Sequence, residues 1–242
     1  VDYALYQKAF VLGLQKKYND KIAVLQDLQT RFPKSDWNDD AMFEIGKAYI
    51  ALDKNDEAIS TFGDIASKFP ASNPVVRKAQ LQIAMLQYNS GKVADATATY
   101  RKVAVSYPNT EEAATALSAL ESIMVDSNKV DEFNQLAQQL GKSSTTKEDS
   151  LQYKAAEKIY FKNNYAEAST ALEKYLNMYP QGKYNALAQY YLANSYYQQK
   201  KYSESLGIYA KLLESTENPN VEFSLKRASA ISQILLHCIA IC

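Results

Sequence analysis

Apolar residues along this chain recur at helical rather than strand spacing. In residues 41–50 (AMFEIGKAYI) and again in 58–65 (AISTFGDI) they fall at i, i+3, i+4 and i+7, the mark of an amphipathic helix. A short polar turn lies between such stretches, so the predicted unit is helix, turn, helix. Turn segments fall in register along the chain: residues 17–22, 55–59, 92–96, 129–133, 164–168 and 201–205. An aromatic followed by proline recurs at Phe32-Pro33, Phe69-Pro70, Tyr107-Pro108 and Tyr179-Pro180, spaced by 37, 38 and 72 residues, the last being two periods. Each proline stands where it cannot continue a helix and reads as a stop after the second helix.

Start signals agree with this frame. Asn73-Pro74 offers an N-cap followed by proline at the first helical position, and Thr110-Glu111-Glu112 places acids in a first turn. Thr146-x-x-Asp149 reads as a capping box with Asp in the place of Glu. The predicted organisation is four repeats at 3–33, 37–70, 74–108 and 110–140, a flexible linker at 141–147 that divides two rigid halves, and repeats five and six with the first helix of a seventh in 148–231. Residues 232–242 are an apolar tail out of keeping with the polar ends that solenoids carry, and read as a truncation or a reading-frame scar.

Composition narrows the chemistry. Lys and Arg number 27 and Asp and Glu 27, so no net charge draws in nucleic acid or an anionic membrane. Only 7 Gly and 6 Pro, with 47% apolar residues, favour a helical globular chain. His237, Cys238 and Cys242 are the only imidazole and thiols, which leaves the body without the means for a disulfide framework, a Cys/His zinc site or a Ser-His or Cys-His hydrolase. Paired acids such as Asp39-Asp40 sit at helix starts and read as dipole partners rather than acid/base catalysts. No cofactor and no metal is expected, and the chain reads as non-enzymatic. The nine residues 234–242 are too few for a transmembrane helix. The N-terminus lacks a leader and a methionine and reads as that of an excised piece.

The small and aromatic slots of the repeats resemble the tetratricopeptide-repeat family. The second repeat carries Ile45-Gly46, Tyr49, Ala58, Phe62 and Pro70; the third Ile83-Ala84, Ala96, Tyr100 and Pro108; the fifth Ala156, Ala168, Leu172 and Pro180; the sixth Leu192-Ala193, Tyr196 and Tyr209. Lys21, Glu121 and Phe133 depart from it where a small residue is expected. The resemblance implies an all-α fold, a right-handed α-solenoid superhelix of antiparallel helix pairs, with first helices lining a concave groove. It further implies a non-catalytic protein-protein interaction scaffold that binds a peptide or partner helix. Repeats of this length ending in Tyr/Phe-Pro are similar to bacterial envelope members, the outer-membrane assembly lipoprotein and the Tol-Pal accessory protein. They imply a periplasmic or outer-membrane-associated place, with the cytoplasm as the alternative. A spacer stacked on other repeats of its parent, or the substrate-recognition region of an enzyme, are the other readings.

Aligning the first helices on that pattern places Phe43, Lys47, Leu81, Met85, Tyr88, Tyr153, Glu157, Tyr160, Tyr190, Asn194 and Tyr197 in the groove. Tyr6, Phe10, Ser118 and Ser122 occupy the same slots in the first and fourth repeats. Tyr196, Tyr202 and Tyr209 are assigned to the core and Trp37 to a helix-entry staple. The two-carboxylate clamp of chaperone-docking relatives is missing: its slots hold Tyr6, Phe10, Glu44, Lys78 and Gln82, of which Lys78 alone has the required chemistry. The apolar tail is the candidate for end-to-end self-association.

Overall fold

The computed structural model describes residues 1–215, and among them the only regular structure is helix. Twelve helices follow one another: α1 (Asp2–Leu14), α2 (Tyr18–Arg31), α3 (Asn38–Ala51), α4 (Asn55–Lys68), α5 (Pro74–Asn89), α6 (Val93–Ser106), α7 (Glu111–Asp126), α8 (Val130–Gln139), α9 (Thr145–Phe161), α10 (Tyr165–Met178), α11 (Asn185–Gln198) and α12 (Tyr202–Ser215). The seventh repeat and the tail at 232–242 lie outside the described residues.

Local chemistry sets the boundaries. Asn73 caps α5, accepting from the Val75 backbone N–H at 2.9 Å, with Pro74 in the first helical position. Phe32, Phe69, Tyr107 and Tyr179 are the C-caps of α2, α4, α6 and α10, each followed by its stopping proline. The turn inside each repeat has a second signature that sequence patterning missed. Lys16, Asp53, Gly91, Asn128, Asn163 and Lys200 all adopt a left-handed backbone, with φ between 57° and 76°. In five of the six turns the next residue's N–H reaches back to a carbonyl five residues earlier, as from Lys17 to Leu12 at 2.9 Å and from Lys54 to Tyr49 at 2.9 Å. Only two of these positions hold Asn and one Gly, so composition hid a conformation repeated six times.

The chain divides into two compact units, Val1–Ile123 and Met124–Cys242. The division falls inside α7 and not at 141–147. Residues 145–147 already belong to α9, and the remaining connection is tied down: Lys142 donates to the Ala137 carbonyl at 2.8 Å, and Ser144 caps α9 by accepting from the Lys147 N–H. Asp149 is therefore not a capping residue. It is buried, accepting from the Tyr175 hydroxyl at 2.6 Å and the Lys183 backbone N–H at 2.9 Å, and so fastens α9 to the turn between α10 and α11. Gly182 makes room for this knot, since a Cβ there would lie 2.5 Å from the Tyr175 hydroxyl.

In the first unit the core alternates small and large side chains. Ala9, Ile22, Leu25, Leu28, Ala41, Ile45 and Ala48 join α1, α2 and α3, and Met42, Ala58, Phe62, Ile65, Val76, Ala79 and Leu86 join α3, α4 and α5. Gly46 admits Phe62: a Cβ would meet its ring at 2.5 Å. Lys21, the departure from the repeat pattern, is buried beside Gly13, and its ammonium is paired with Glu44 of α3. A charged tie thus stands where four other repeats use a small residue, Ala58, Ala96, Ala168 or Ser205. In the second unit Phe133 is buried and, at 2% exposure, belongs to the core despite its size.

Candidate partner-binding surface

In five repeats a buried small residue, Ala9, Gly46, Ala84, Ala156 or Ala193, marks the packed face of the first helix, with Gly46 in contact with Phe62 of the second. The residue directly after it turns out from that contact: Phe10, Lys47, Met85, Glu157 and Asn194. This register locates the face built by first helices, and each unit presents its own portion.

In the first unit Lys47 is exposed and paired with Glu44 at 2.7 Å, and Phe43 is half-buried with its ring 5.4 Å from that of Phe62. Met85 and Tyr88, one turn apart on α5, remain 39% and 42% exposed. Leu81 does not line this face. It is buried, although it shares a helix face with the exposed Met85 one turn later. Glu44 lies between Lys21 and Lys47; burial raises its carboxyl, but hydrogen bonds and charge from the two lysines outweigh this and hold it below the ordinary range. Tyr6, also half-buried, is pushed up to about 12 by burial and by Asp40, Glu44 and Asp39.

The second unit is dominated by tyrosine, and much of that tyrosine is core. Tyr153, assigned above to the groove, is 2% exposed: it stacks on Tyr184 at 4.4 Å, meets Tyr175 edge-on at 5.6 Å, and donates its hydroxyl to Glu157 at 2.7 Å. Burial, with Glu157, raises its pKa. Its slot was read as outward because the helical period was extended without the loop residue Tyr184 that covers it. Tyr160 is half-buried, stacked on Tyr191 at 4.5 Å, and burial lifts it to about 12. Tyr190 bridges Tyr191 at 5.7 Å and Tyr209 at 6.2 Å, and Tyr197 packs edge-on against Tyr202 at 5.6 Å. Tyr209 is buried as assigned, whereas Tyr196 and Tyr202 are only half-buried.

Asn194 is half-buried, with its Oδ1 closed off from solvent and without a hydrogen-bond partner. Two exposed apolar side chains were missed: Phe161, 62% exposed and edge-on to Tyr160 and Tyr191, and Leu187, 41% exposed at the start of α11. Both lie within one turn of a residue assigned to the groove, which was the available signal. What the two faces offer is apolar and aromatic area bordered by lysine and carboxylate, the chemistry of protein recognition. No described helix is long and apolar enough to cross a membrane.

Family models match both halves of the chain. The tetratricopeptide repeat model matches residues 3–35, 40–72 and 78–110. Over these residues the chain resembles the tetratricopeptide-repeat family. An outer membrane lipoprotein model matches residues 145–225, so this repeat chain also has an envelope-type resemblance. Among solved structures, it is similar to a tetratricopeptide repeat protein from Parabacteroides merdae ATCC 43184, with 14% identity, 97% of this chain and 87% of that one covered, and a TM-score of 0.50. It is also similar to a chain in the structure of Naa15/Naa10 bound to HypK-THB, with 16% identity, 95% of this chain and 33% of that one covered, and a TM-score of 0.57. These likenesses show the fold, an all-α solenoid of helix pairs. The comparison with curated proteins gives no match.

Proposed function

We propose that this repeat chain is a non-catalytic scaffold that holds an extended peptide or a partner helix against its first helices, at the bacterial envelope. The observation that carries the reading is the exposure of Met85 and Tyr88 on α5, with exposed Lys47 at the same register of α3. Large apolar side chains kept in water one turn apart, with a cation at the border, are suited to a partner with apolar anchors and an acidic flank. The envelope placement is supported by the outer membrane lipoprotein match at 145–225.

Panning a random peptide library on the 242-residue chain tests the ligand face. Selected peptides are expected to lose at least tenfold in affinity for a Met85→Ser/Tyr88→Ala variant of unchanged helicity; peptides that bind the variant equally well overturn the reading. Fractionation of the cells that make the protein is expected to find it with periplasm or outer membrane, and a purely cytosolic signal removes the envelope part.

A further inference from the structure

The first helix exposes a seam that its counterparts lack. Tyr3, Gln7, Phe10 and Leu14 follow one another at steps of 4, 3 and 4 residues, the spacing of a helix-pairing seam. Tyr3 is 51%, Phe10 55% and Leu14 70% exposed, and Val11 beside them 49%. At the same register α3 carries Asp40, Glu44, Lys47 and Ala51, and α5 carries Lys78, Gln82, Met85 and Asn89. Apart from Ala51 and Met85 these positions are polar, and α1 alone puts three large apolar side chains there.

A further stacked repeat is not the occupant this helix is built for. The face of α3 that packs on α2 is Ala41, Ile45, Ala48 and Leu52, and its equivalent on α5 is Ala79, Ile83 and Leu86. In α1 those positions are Ala4, Lys8, Val11 and Gln15, with Lys8 and Gln15 exposed where α3 has Ile45 and Leu52. The stacking face of α1 thus keeps only Ala4 and Val11 as apolar members, and the larger apolar side chains lie on the seam.

We infer that this chain forms a twofold dimer in which α1 packs antiparallel on α1 of a second copy. The seam is its own complement: antiparallel pairing sets Tyr3 against Leu14 and Gln7 against Phe10, with Ala4 beside Val11 at the flank. It also brings Asp2, near one helix start, towards the exposed Lys16 and Lys17 that follow the other helix, so charges and helix dipoles are matched. No second patch of this kind is needed. Elsewhere among the described residues exposed large apolar side chains come at most two to a helix, Met85 with Tyr88 on α5 and Val93 with Val105 on α6. The pair covers on the order of 1,000 Å² in total, the lower end of specific interfaces.

Sedimentation equilibrium of the 242-residue chain, from about 1 to about 200 µM, reads this directly. The 27.2 kDa chain is expected to approach twice that mass, and Phe10→Glu/Leu14→Glu to weaken the dimer at least tenfold, while Val105→Glu on α6 leaves it unchanged. Leu14→Gln alone, at the most exposed seam position, keeps the fold with least risk and is expected to weaken it several-fold. A monomer throughout the range overturns the inference, as does a dimer indifferent to the α1 substitutions. A dimer lost in Leu235→Glu/Leu236→Glu but intact in the α1 variants overturns it too, in favour of the apolar tail.

Discussion

The buried Lys21–Glu44 pair is the point where this protein departs furthest from its own repeat, and replacing Lys21 by Met tests why the departure is tolerated. Methionine keeps the length of the aliphatic stem beside Gly13 and removes only the charge. The Lys21 side chain is 9% exposed and that of Glu44 19%, so the carboxylate cannot recover full hydration. Breaking a buried pair by removing one partner costs about 3–5 kcal/mol. Here Glu44 keeps Lys47 at 2.7 Å and some solvent, which brings the penalty to about 2 kcal/mol. The double variant Lys21→Met/Glu44→Gln leaves no stranded charge and is expected within about 1 kcal/mol of the parent, so the two substitutions are strongly non-additive. Urea denaturation followed by circular dichroism supplies all corners of the cycle. The pH dependence is fixed by the direction of the Glu44 shift. Its folded carboxyl lies below the ordinary range, so the stabilisation is present at neutral pH and is lost as the pH falls through the folded value. The Lys21→Met penalty should therefore shrink as the pH falls through that folded value and the carboxylate takes up its proton. A cost under about 0.5 kcal/mol at pH 7, or an equal cost at pH 7 and about pH 3, refutes the reasoning.

Two glycines on adjacent helices should respond in opposite ways to Ala. Gly46→Ala drives a Cβ into the Phe62 ring and is expected to cost about 1–3 kcal/mol, whereas Gly63→Ala on α4 meets nothing within 4 Å and should gain about 1 kcal/mol from helix propensity; thermal melts decide both. In alkaline titration followed by tyrosinate absorbance, burial raises Tyr6, Tyr160 and Tyr196 to about 12, and Tyr153, Tyr175 and Tyr209 upwards as well. These groups keep protons that the unfolded chain gives up, so stability is full below about pH 10 and falls as the pH rises beyond it. A late absorbance step coincident with loss of helicity is expected, and smooth titration of all tyrosines near pH 10 contradicts the burial.

The repeat, its period and the helix stops were legible in sequence because each rests on local rules: the 3.6-residue period, proline's missing N–H, and the small residue needed where helices touch. The family resemblance named Gly46 and Phe62 as a small and an aromatic slot and set Lys47 and Met85 on an outward register. What lay beyond the local rules and the resemblance was decided by neighbours distant in the chain. Tyr153 looks outward by period until Tyr184, 31 residues later, closes over it, and Leu81, outward by the same period, is buried. Lys21 looked like a packing fault until Glu44 appeared opposite its ammonium, and Asp149 looked like a cap until the Tyr175 hydroxyl and the Lys183 N–H were brought to it. Periodicity states which way a side chain leaves its own helix; only the tertiary structure decides whether water or another residue is waiting there, because burial and charge pairing are properties of two segments at once.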